Sequence, residues 1–510
     1  MSAAHGVLAT VRGVALIGLD AREVRVEASL APGLPVLRLI GLPDAAVREA
    51  GDRVRTGLQR SGCRWPQERL VVNLAPADLP KAGAAFDLPL ALAVLVATRQ
   101  VPASAVEGLW ACGEVGLDGR LRTVPGILPL AAGAHRLGAR RLLVPDAGAA
   151  EAAAVADLEV LPARDLAEVV ALLRDGRPPR GVTALTATAE AAETMDLAEV
   201  RGQPIARRAI ELAAAGGHHL LLSGPPGCGK TLLAHRLHGV LPMLSIEQAL
   251  EVAAVRSIAG ERDPHDPLSL VPPLREPHHS VSTAGLVGGG SGIPRPGELA
   301  LAHHGVLVLD ELLEAPRHVL DALRQPLERG RVELIRSRAR VVYPARVLLV
   351  AATNPCPCGD LGHPTRACRC RPDRIERYRS RLSGPLLDRL DLQVALQPVE
   401  RERLLGPPDG ESTAVVAARV AAAREIAVER DGPGRLNRDL SAVRLRTATR
   451  PGALRVLADV LAANGGSARA FDRCLRVART IADLDGRGSV EQSDVEEALA
   501  YRLPAATVVA

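Results

Sequence analysis

Aromatic residues, lysine and long apolar runs are all scarce in this sequence. Only 1% of its residues are aromatic, so its hydrophobic cores must be built from leucine, valine, isoleucine and alanine. Lysine occurs only at positions 81 and 230, and arginine supplies nearly all of the positive charge. No run of about 18 uninterrupted apolar residues is present, which argues against a membrane-spanning helix. The first ten residues lack the basic and apolar regions of a signal peptide, so we expect a cytoplasmic protein.

The rest of the composition is typical of a folded protein with several domains. The 510 residues are 47% hydrophobic and 24% charged, and a chain of this length is expected to form about two to four domains. Its eight cysteines are too few for a scaffold held by disulfides. The net charge of +5 permits nucleic-acid binding, but it is spread over so many residues that it does not argue strongly for it.

The pattern of apolar residues divides the chain into three folded blocks and a linker. In residues 1–175, short apolar runs alternate with helix-like segments, which predicts a mixed α/β domain. Residues 176–194 lack apolar periodicity and are predicted to be a linker. In residues 195–400, buried-type strands alternate with helices, as in a parallel sheet. Residues 401–510 have helical spacing of alanine, leucine and valine, which predicts a helical lid.

A glycine-rich loop is the strongest functional motif. It lies between a predicted strand, His219–Ser223, and a predicted helix, Leu232–Val240, which is the context of a P-loop. Glycines allow backbone N–H groups to surround a phosphate, and the helix N-terminus adds a positive end. We expect Lys230 to contact the β- and γ-phosphates of ATP and the Thr231 hydroxyl to bind Mg²⁺. The predicted loop ligands are Gly224, Pro225, Pro226, Gly227, Cys228, Gly229, Lys230 and Thr231.

Two later apolar runs end in polar residues that would complete such a site. The first is followed by Asp310 and Glu311, about 80 residues after the P-loop. In P-loop ATPases an acid at this place holds Mg²⁺, and the next carboxylate can polarise the attacking water as a general base. The second run leads to Asn354. Its amide could contact the γ-phosphate or the water, although an isolated asparagine is more often a turn residue.

Longer motifs resemble those of the Mg-chelatase-like AAA+ family, the ComM/YifB group, and the resemblance extends over nearly the whole chain. In the AAA+ part it is carried by Pro277–Ser280, Ala284–Gly290, Pro296–Gly305, Asn354–Gly359 and Ser383–Asp391. It implies a P-loop AAA+ core with a helical lid. It also implies binding of ATP and Mg²⁺, and assembly into a homo-oligomeric ring, expected to be a hexamer, with the ATP sites between subunits.

The same resemblance implies roles that the residues alone would not reveal. Asn354 matches the sensor 1 residue, Arg389 the arginine finger that acts on a neighbouring subunit, and Arg469 the sensor 2 arginine of the lid. Gln203 lies in the segment that borders the adenine. An arginine finger neutralises charge on the transferring phosphoryl group. Without the family motifs, both arginines would be interpreted as ordinary surface charge.

The N-terminal block resembles the proteolytic domain of Lon proteases, an α+β fold of the ribosomal S5 domain 2-like type. The motifs that carry this resemblance are Pro80–Gly83, Gly113–Leu121, Pro125–Leu128 and Ala134–Ala139. However, Ala85 stands where Lon has its nucleophilic serine, and Leu128 stands where it has its lysine base. Because an acyl-enzyme needs a nucleophile and a base, we expect a proteolytically inactive domain used for assembly or for binding a partner.

An arginine-rich segment lies between the acidic residues and Asn354. If it stays a single strand, alternation places Arg336, Arg338 and Arg340 on one face. In related ring ATPases a hairpin here projects into the central channel, where arginines could follow a DNA phosphate backbone without reading bases. The alternative is a solvated hairpin in an arginine-rich protein. Only one ring, that of Tyr343, lies nearby, so recognition by base stacking is disfavoured.

Four cysteines are close together in the sequence, namely Cys356, Cys358, Cys368 and Cys370. Four thiolates in so short a span can form a tetrahedral Zn²⁺ site. The spacing of one residue within each pair is tighter than usual for zinc, so buried cysteines that only pack a loop remain the alternative. A structural zinc here would fix the segment between Asn354 and Arg389.

Three hypotheses for function follow. The first is an ATP-driven ring motor on branched or single-stranded DNA, with branch migration or helicase activity in recombination or natural transformation. The second is a motor that inserts a metal or remodels a protein partner, as Mg-chelatase does; the Lon-like block argues against it. The third is a scaffold without enzymatic activity, which the intact Lys230, Asp310 and Glu311 disfavour. No membrane partner is expected.

Overall fold

Two large β-sheets organise the chain, one in the N-terminal domain and one in the ATPase core. The computed structural model describes residues 8–189, 196–263, 266–290, 292–336 and 339–502. The N-terminal strands are β1 (Ala9–Ile17), β2 (Asp20–Ala31), β3 (Leu37–Ile40), β4 (Arg69–Ala75), β5 (Leu109–Ala111), β6 (Glu114–Val115), β7 (Leu121–Arg122), β8 (Arg141–Pro145) and β9 (Glu159–Ala163). The N-terminal helices are α1 (Ala45–Arg60), α2 (Asp87–Ala97), α3 (Ile127–Arg136), α4 (Ala149–Ala152) and α5 (Leu166–Asp175).

The N-terminal sheet is mixed and has seven strands in the order β3-β4-β2-β1-β5-β8-β9. Strand β2 alternates buried and more exposed residues, with Val24, Val26 and Ala28 in the core, as expected for a strand with one covered face. Helix α2 is buried along its whole length, because every residue of this helix after Asp87 is apolar. These features confirm the mixed α/β class predicted for this block; its likeness to Lon stays a prediction.

The remaining elements begin with β10, after the N-terminal domain. Its strands are β10 (Ala187–Thr188), β11 (Leu220–Ser223), β12 (Leu268–Ser269), β13 (Leu274–Arg275), β14 (Gly288–Gly289), β15 (Arg295–Pro296), β16 (Val306–Leu309), β17 (Arg331–Arg336), β18 (Ala339–Pro344), β19 (Leu348–Thr353) and β20 (Leu392–Ala395). The helices of the core are α6 (Pro204–Gly216), α7 (Lys230–Gly239), α8 (Ile246–Ala259), α9 (Thr283–Val287), α10 (Glu298–Leu301), α11 (Arg317–Ala322), α12 (Arg324–Arg329), α13 (Pro372–Arg379) and α14 (Gly384–Leu387).

The core sheet has five strands in the order β13-β16-β19-β11-β20, and every neighbouring pair is parallel. All residues of β11, β16 and β19 are buried, as expected when helices cover both faces of a parallel sheet. The predicted parallel sheet is therefore confirmed. Strand β11 lies between β19 and β20 and leads directly into the P-loop, so this order places the loop between two neighbouring strand ends.

The C-terminal part is helical in the described residues and packs on the core. Its helices are α15 (Arg401–Leu405), α16 (Thr413–Asp431), α17 (Ala442–Thr447), α18 (Pro451–Ala463), α19 (Ala468–Leu484) and α20 (Gln492–Ala500). One hydrophobic cluster contains residues of α6, β11, α16 and α19, so the lid and the nucleotide-binding core share buried surface. No helix among the described residues is long and apolar enough to span a bilayer.

The N-terminal domain docks on helix α8 of the core. Leu128 is buried in one cluster with Val252 and Ala253, and the backbone N–H of Gly126 donates to the carbonyl oxygen of Ser257 at 3.1 Å. The position that matches the lysine base of Lon thus carries an apolar contact to the ATPase core. Ala85, at the position of the serine, is half-buried in a short 3₁₀ turn.

Candidate nucleotide-binding site

Three predicted site segments meet at the carboxyl edge of the core sheet. The P-loop follows β11, Asp310 follows β16 and Asn354 follows β19. In the ladder, Ser223 pairs with Thr353, and Leu309 pairs with Ala351. Since these strands are parallel neighbours, their ends lie side by side, which is where open α/β sheets bind ligands. The sheet therefore gathers residues that are more than a hundred positions apart in the sequence.

The P-loop takes a backbone shape that requires glycine at several positions. Gly227 and Gly229 have φ of 80° and 91°, values that residues with a side chain rarely adopt. A Cβ on Gly224 would lie 2.7 Å from the carbonyl oxygen of Leu396. Helix α7 begins at Lys230, so its free N–H groups face the loop, as a phosphate-binding site needs.

The Lys230 ammonium group is buried inside the loop. Its Nζ donates to the carbonyl oxygens of Gly224 and Pro225 at 2.7 and 2.9 Å and to Oδ1 of Asn354 at 3.0 Å. Burial lowers the pKa of Lys230, and nearby Cys228 and Asp310 counteract this effect. All three acceptors are neutral, so the charged oxygens of a phosphate would be stronger partners for the ammonium group.

Thr231 and Asp310 are in direct contact. The Thr231 hydroxyl donates to Oδ2 of Asp310 at 2.5 Å, and the backbone N–H of Glu311 donates to Oδ1 of Asp310 at 2.7 Å. A hydroxyl and a carboxylate are hard oxygen donors of the kind that Mg²⁺ prefers, with water and phosphate oxygens as further ligands. The pair therefore fits the ion that was predicted for it.

Glu311 has an unusual backbone and an unpredicted partner. Its φ of 49° lies in the left-handed region, which is costly for a residue with a side chain and often marks a functional site. Its Oε2 lies 2.9 Å from Nδ1 of His279, and the Glu311 side chain is half exposed. His279 belongs to the Pro277–Ser280 motif, but that motif gave no indication that its imidazole reaches the proposed base.

Gln203 connects two segments beside the P-loop. It has a left-handed φ of 56° directly before α6, and its Nε2 donates to the carbonyl oxygen of Gln397 at 2.6 Å. The preceding N–H, of Gly202, donates to both carboxylate oxygens of Asp409 at 3.0 and 3.1 Å. Gln203 thus fixes the start of α6 against the segment that follows β20; its contact with adenine stays a prediction.

Arg389 and Arg469 lie apart from the site of their own chain. Both line a cavity of about 730 Å³ together with Glu328 and Arg473, and no described residue of the P-loop lines it. Arg389 donates from Nη1 to the carbonyl oxygen of Pro385 at 2.6 Å and forms an ion pair with Glu328. A single chain therefore does not bring Lys230 and these arginines together.

The arginine-rich segment forms a hairpin of β17 and β18, and here one prediction is wrong. Arg336 pairs with Ala339, whereas Arg340 pairs with Ile335, so Arg336 and Arg340 point to opposite faces. The reason is that the segment forms two antiparallel strands instead of continuing as one strand. Both arginines are exposed, and Arg340 donates to Glu333 at 3.0 Å. Arg338 lies outside the described residues.

The four clustered cysteines converge on one point. Their sulfur atoms all lie within 4.8 Å of one another, and the closest pairs are Cys356–Cys358 at 3.3 Å and Cys356–Cys368 at 3.6 Å. Tetrahedral zinc with Zn–S bonds of about 2.3 Å would place sulfurs about 3.8 Å apart, so Cys356, Cys358, Cys368 and Cys370 fit such an ion. A backbone hydrogen bond from Asp360 lowers the pKa of Cys358 to about 6, whereas burial and the neighbouring sulfurs raise the pKa of Cys370, so Cys358 is the cysteine that most readily supplies a thiolate.

The cysteine loop also contacts the P-loop. A Cβ on Gly359 would lie 2.5 Å from Cδ of Pro226, so these two loops pack closely at this point. The backbone of Gly359 has φ of 82°, which glycine tolerates best. Any ion that orders the cysteine loop would therefore also support one wall of the nucleotide site.

Comparison with known proteins assigns the chain to a family. Three family models match it: magnesium chelatase subunit ChlI over residues 196–404, the ChlI subunit of Mg-chelatase over residues 26–148, and the C-terminal part of subunit ChlI over residues 410–502. The chain belongs to the Mg-chelatase-like AAA+ family. Among its relatives, Rv2897c of Mycobacterium tuberculosis is 45% identical over 494 residues, which is 96% of this chain and 97% of the relative.

Two further members of the family are similar over almost their full length. YifB of Escherichia coli is 42% identical over 499 residues, and the competence protein ComM of Haemophilus influenzae is 42% identical over 504 residues. In each case the match covers 97% of both chains. The predicted P-loop AAA+ fold and the family resemblance are thereby confirmed, and the N-terminal domain is part of the match.

Proposed function

We propose that this member of the Mg-chelatase-like AAA+ family is an ATP-hydrolysing ring motor that acts on DNA. The observation that carries the proposal is the convergence of Lys230, Thr231, Asp310, Glu311 and Asn354 at one sheet edge. Mg²⁺ held by Thr231 and Asp310 would neutralise charge on the phosphates of ATP. Lys230 would bind the β- and γ-phosphates, and Glu311 would accept a proton from the attacking water.

Assembly into a ring, proposed to be a hexamer, is supported by the position of Arg389 and Arg469. Their cavity is not lined by the P-loop of the same chain, which favours contact with a γ-phosphate at the edge of a neighbouring subunit. There they would act as the arginine finger and the sensor 2 arginine. Charge stabilisation by a finger is typically worth about 10³–10⁵ in the rate constant, so an isolated subunit should hydrolyse ATP slowly.

DNA as the substrate is supported by the exposed arginines of the β17–β18 hairpin and by the similarity to ComM, which is named a competence protein. Arg336 and Arg340 could each contact a phosphate on either side of the hairpin. We propose branched or single-stranded DNA, with branch migration or helicase action during recombination of incoming DNA. Structural Zn²⁺ at the four cysteines is part of the same proposal, because their loop packs against the P-loop.

The test is the ATPase rate of the purified chain with no DNA and with duplex, single-stranded and four-way branched DNA of equal nucleotide content. We expect the branched or single-stranded form to raise the rate most. Metal insertion or remodelling of a protein partner, the alternative, predicts a rate that no form of DNA changes. That result would reject DNA as the substrate.

A further inference from the structure

The proposed arginine finger is held by a carboxylate of its own subunit. Nη2 of Arg389 donates to Oε2 of Glu328, and Nη1 donates to Pro385. Its Nε is buried and has no hydrogen-bond partner within the described part of the chain. The Arg389 residue is only 9% exposed. In this arrangement the guanidinium is occupied by a partner other than phosphate, and one of its three nitrogen atoms has no hydrogen-bond partner within the described residues.

Open space borders the pair on two sides. Arg389 and Glu328 both line the cavity of about 730 Å³ described above and a second cavity of about 620 Å³. The hydrogen bond from Arg389 holds the pKa of Glu328 below its ordinary value, and the charges of Arg469 and Arg473 act in the same direction. Glu328 is therefore an anion facing three guanidiniums in a space that could admit the phosphates of a neighbouring subunit's nucleotide.

Glu328 also lies at the base of the arginine hairpin. It belongs to α12, which ends at Arg329, and β17 begins two residues later. Gly330 joins them with a left-handed φ of 63° and accepts a hydrogen bond from the backbone N–H of Ala345 at 2.8 Å. A shift of Glu328 would thus move the start of β17 through the chain at Gly330. It would also move the end of β18 through the hydrogen bond between Ala345 and Gly330.

We propose that Glu328 is a positioning residue that holds Arg389 away from the neighbouring ATP site until that site is filled, and that its release shifts the base of the hairpin. This inference rests on the proposed ring motor. A triphosphate carries more negative charge than one carboxylate and can accept two guanidinium hydrogen bonds at once, whereas Glu328 accepts one from Arg389, so the triphosphate can displace Glu328. Binding of ATP in one subunit would then change the position of the hairpin in the neighbouring subunit.

Steady-state ATPase kinetics of the full-length chain with Glu328→Gln test the proposal. Without DNA, we expect kcat to rise about three- to tenfold with little change in KM, because a larger fraction of Arg389 is free to engage. The further stimulation by DNA should fall by a similar factor. Glu328→Ala should act in the same direction, which covers the case in which the glutamine variant folds poorly. Glu159→Gln, which removes an exposed partner of Arg141, should match the parent.

A double variant separates this role from general damage. In an Arg389→Ala background, Glu328→Gln should have no further effect on kcat, because Glu328 acts only through the arginine. An unchanged or lower kcat for Glu328→Gln alone, or an equal effect with and without Arg389, overturns the proposal. Different results would reject the proposed motor itself. These are an Arg389→Ala variant with the ATPase rate of the parent, or a parent ATPase rate that DNA does not change.

Discussion

The ammonium group of Lys230 and the amide oxygen of Asn354 lie 3.0 Å apart, which links the P-loop to the end of the neighbouring strand β19. Lys230 also donates to two carbonyl oxygens and to the Cys228 sulfur of the loop itself. Lys230 therefore has a double role in this arrangement, since it holds the loop in shape and presents the charge that a triphosphate would meet. We therefore expect a phosphate that binds Lys230 to lie within reach of the Asn354 amide as well.

Lys230→Ala should remove binding of Mg·ATP. The variant loses a charge-assisted contact to two phosphates, and we expect affinity to fall at least about 100-fold. Equilibrium binding of a fluorescent ATP analogue measures the change. The only other lysine, Lys81, is buried in the N-terminal domain, so Lys81→Met should leave the affinity unchanged. Parental affinity in Lys230→Ala would contradict the assignment of the nucleotide site.

Glu311→Gln should separate binding from turnover. Glutamine cannot accept the proton of the attacking water, so kcat should fall about 10²–10⁴-fold while ATP binding stays near the parental value. Single-turnover hydrolysis and binding titrations report the two effects. Glu314→Gln is a matched control, because Glu314 is a partly exposed carboxylate three residues away that pairs with Arg381. Full turnover in Glu311→Gln would reject Glu311 as the base.

The sequence was sufficient to predict which residues would meet at the sheet edge, because they follow strands that end there. Lys230 is placed by a glycine-rich loop between a strand and a helix, and Asp310 and Asn354 are placed by apolar runs that lead to a polar residue. The contact of His279 with Glu311 depends on a chain path that no local pattern describes. The pairing register of β17 and β18 determines which face of the hairpin Arg336 and Arg340 occupy. A shift of one residue moves every side chain of a strand to the other face, and the sequence does not specify this register.

The docking of the N-terminal domain could not be predicted either. Leu128 is apolar in the sequence, and apolar residues in a helical pattern predict a core without saying which domain supplies the other side. The structure places Leu128 against α8 of the ATPase core. The ion pair of Glu328 and Arg389 could not be predicted for a similar reason. The two residues are 61 positions apart, and no sequence pattern indicates which of the many arginines pairs with Glu328.

Arg336→Ala and Arg340→Ala should each weaken DNA binding without changing the ATPase rate in the absence of DNA. If each arginine contacts one phosphate, each substitution should reduce the slope of log affinity against log salt by about 0.7–0.9. Fluorescence anisotropy with single-stranded and branched DNA at several salt concentrations measures the slope. Arg141→Ala, on the N-terminal sheet, is the control. An unchanged slope in both hairpin variants would show that Arg336 and Arg340 do not contact DNA phosphates.

The cysteine cluster should bind one zinc ion per chain. Elemental analysis of the purified protein tests this directly, and Cys358→Ser or Cys368→Ser should lose the metal. Cys63→Ser should retain it, because Cys63 lies in the N-terminal domain outside the cluster. Since Gly359 packs against Pro226, loss of zinc should also weaken ATP binding. A protein with no bound metal, and with parental ATP affinity in both cluster variants, would leave the cysteines as packing residues only.

Acidification should destabilise the ATPase core through His219. Its ring is buried and its Nδ1 accepts the backbone N–H of Leu349 at 3.1 Å; burial lowers its pKa to about 3, and the charge of Arg438 acts in the same direction while that of Asp391 opposes it. A histidine whose folded pKa lies below its unfolded value of about 6.5 stabilises the fold above that pH and loses this contribution as the pH falls toward the folded pKa. Between pH 7 and pH 5 the free energy of unfolding should therefore fall by about 2 kcal/mol from this group. Urea unfolding at both pH values measures it. His219→Asn keeps an acceptor for Leu349 without a titrating group and should reduce the difference, whereas an equal loss in both proteins would assign the acid sensitivity to other groups.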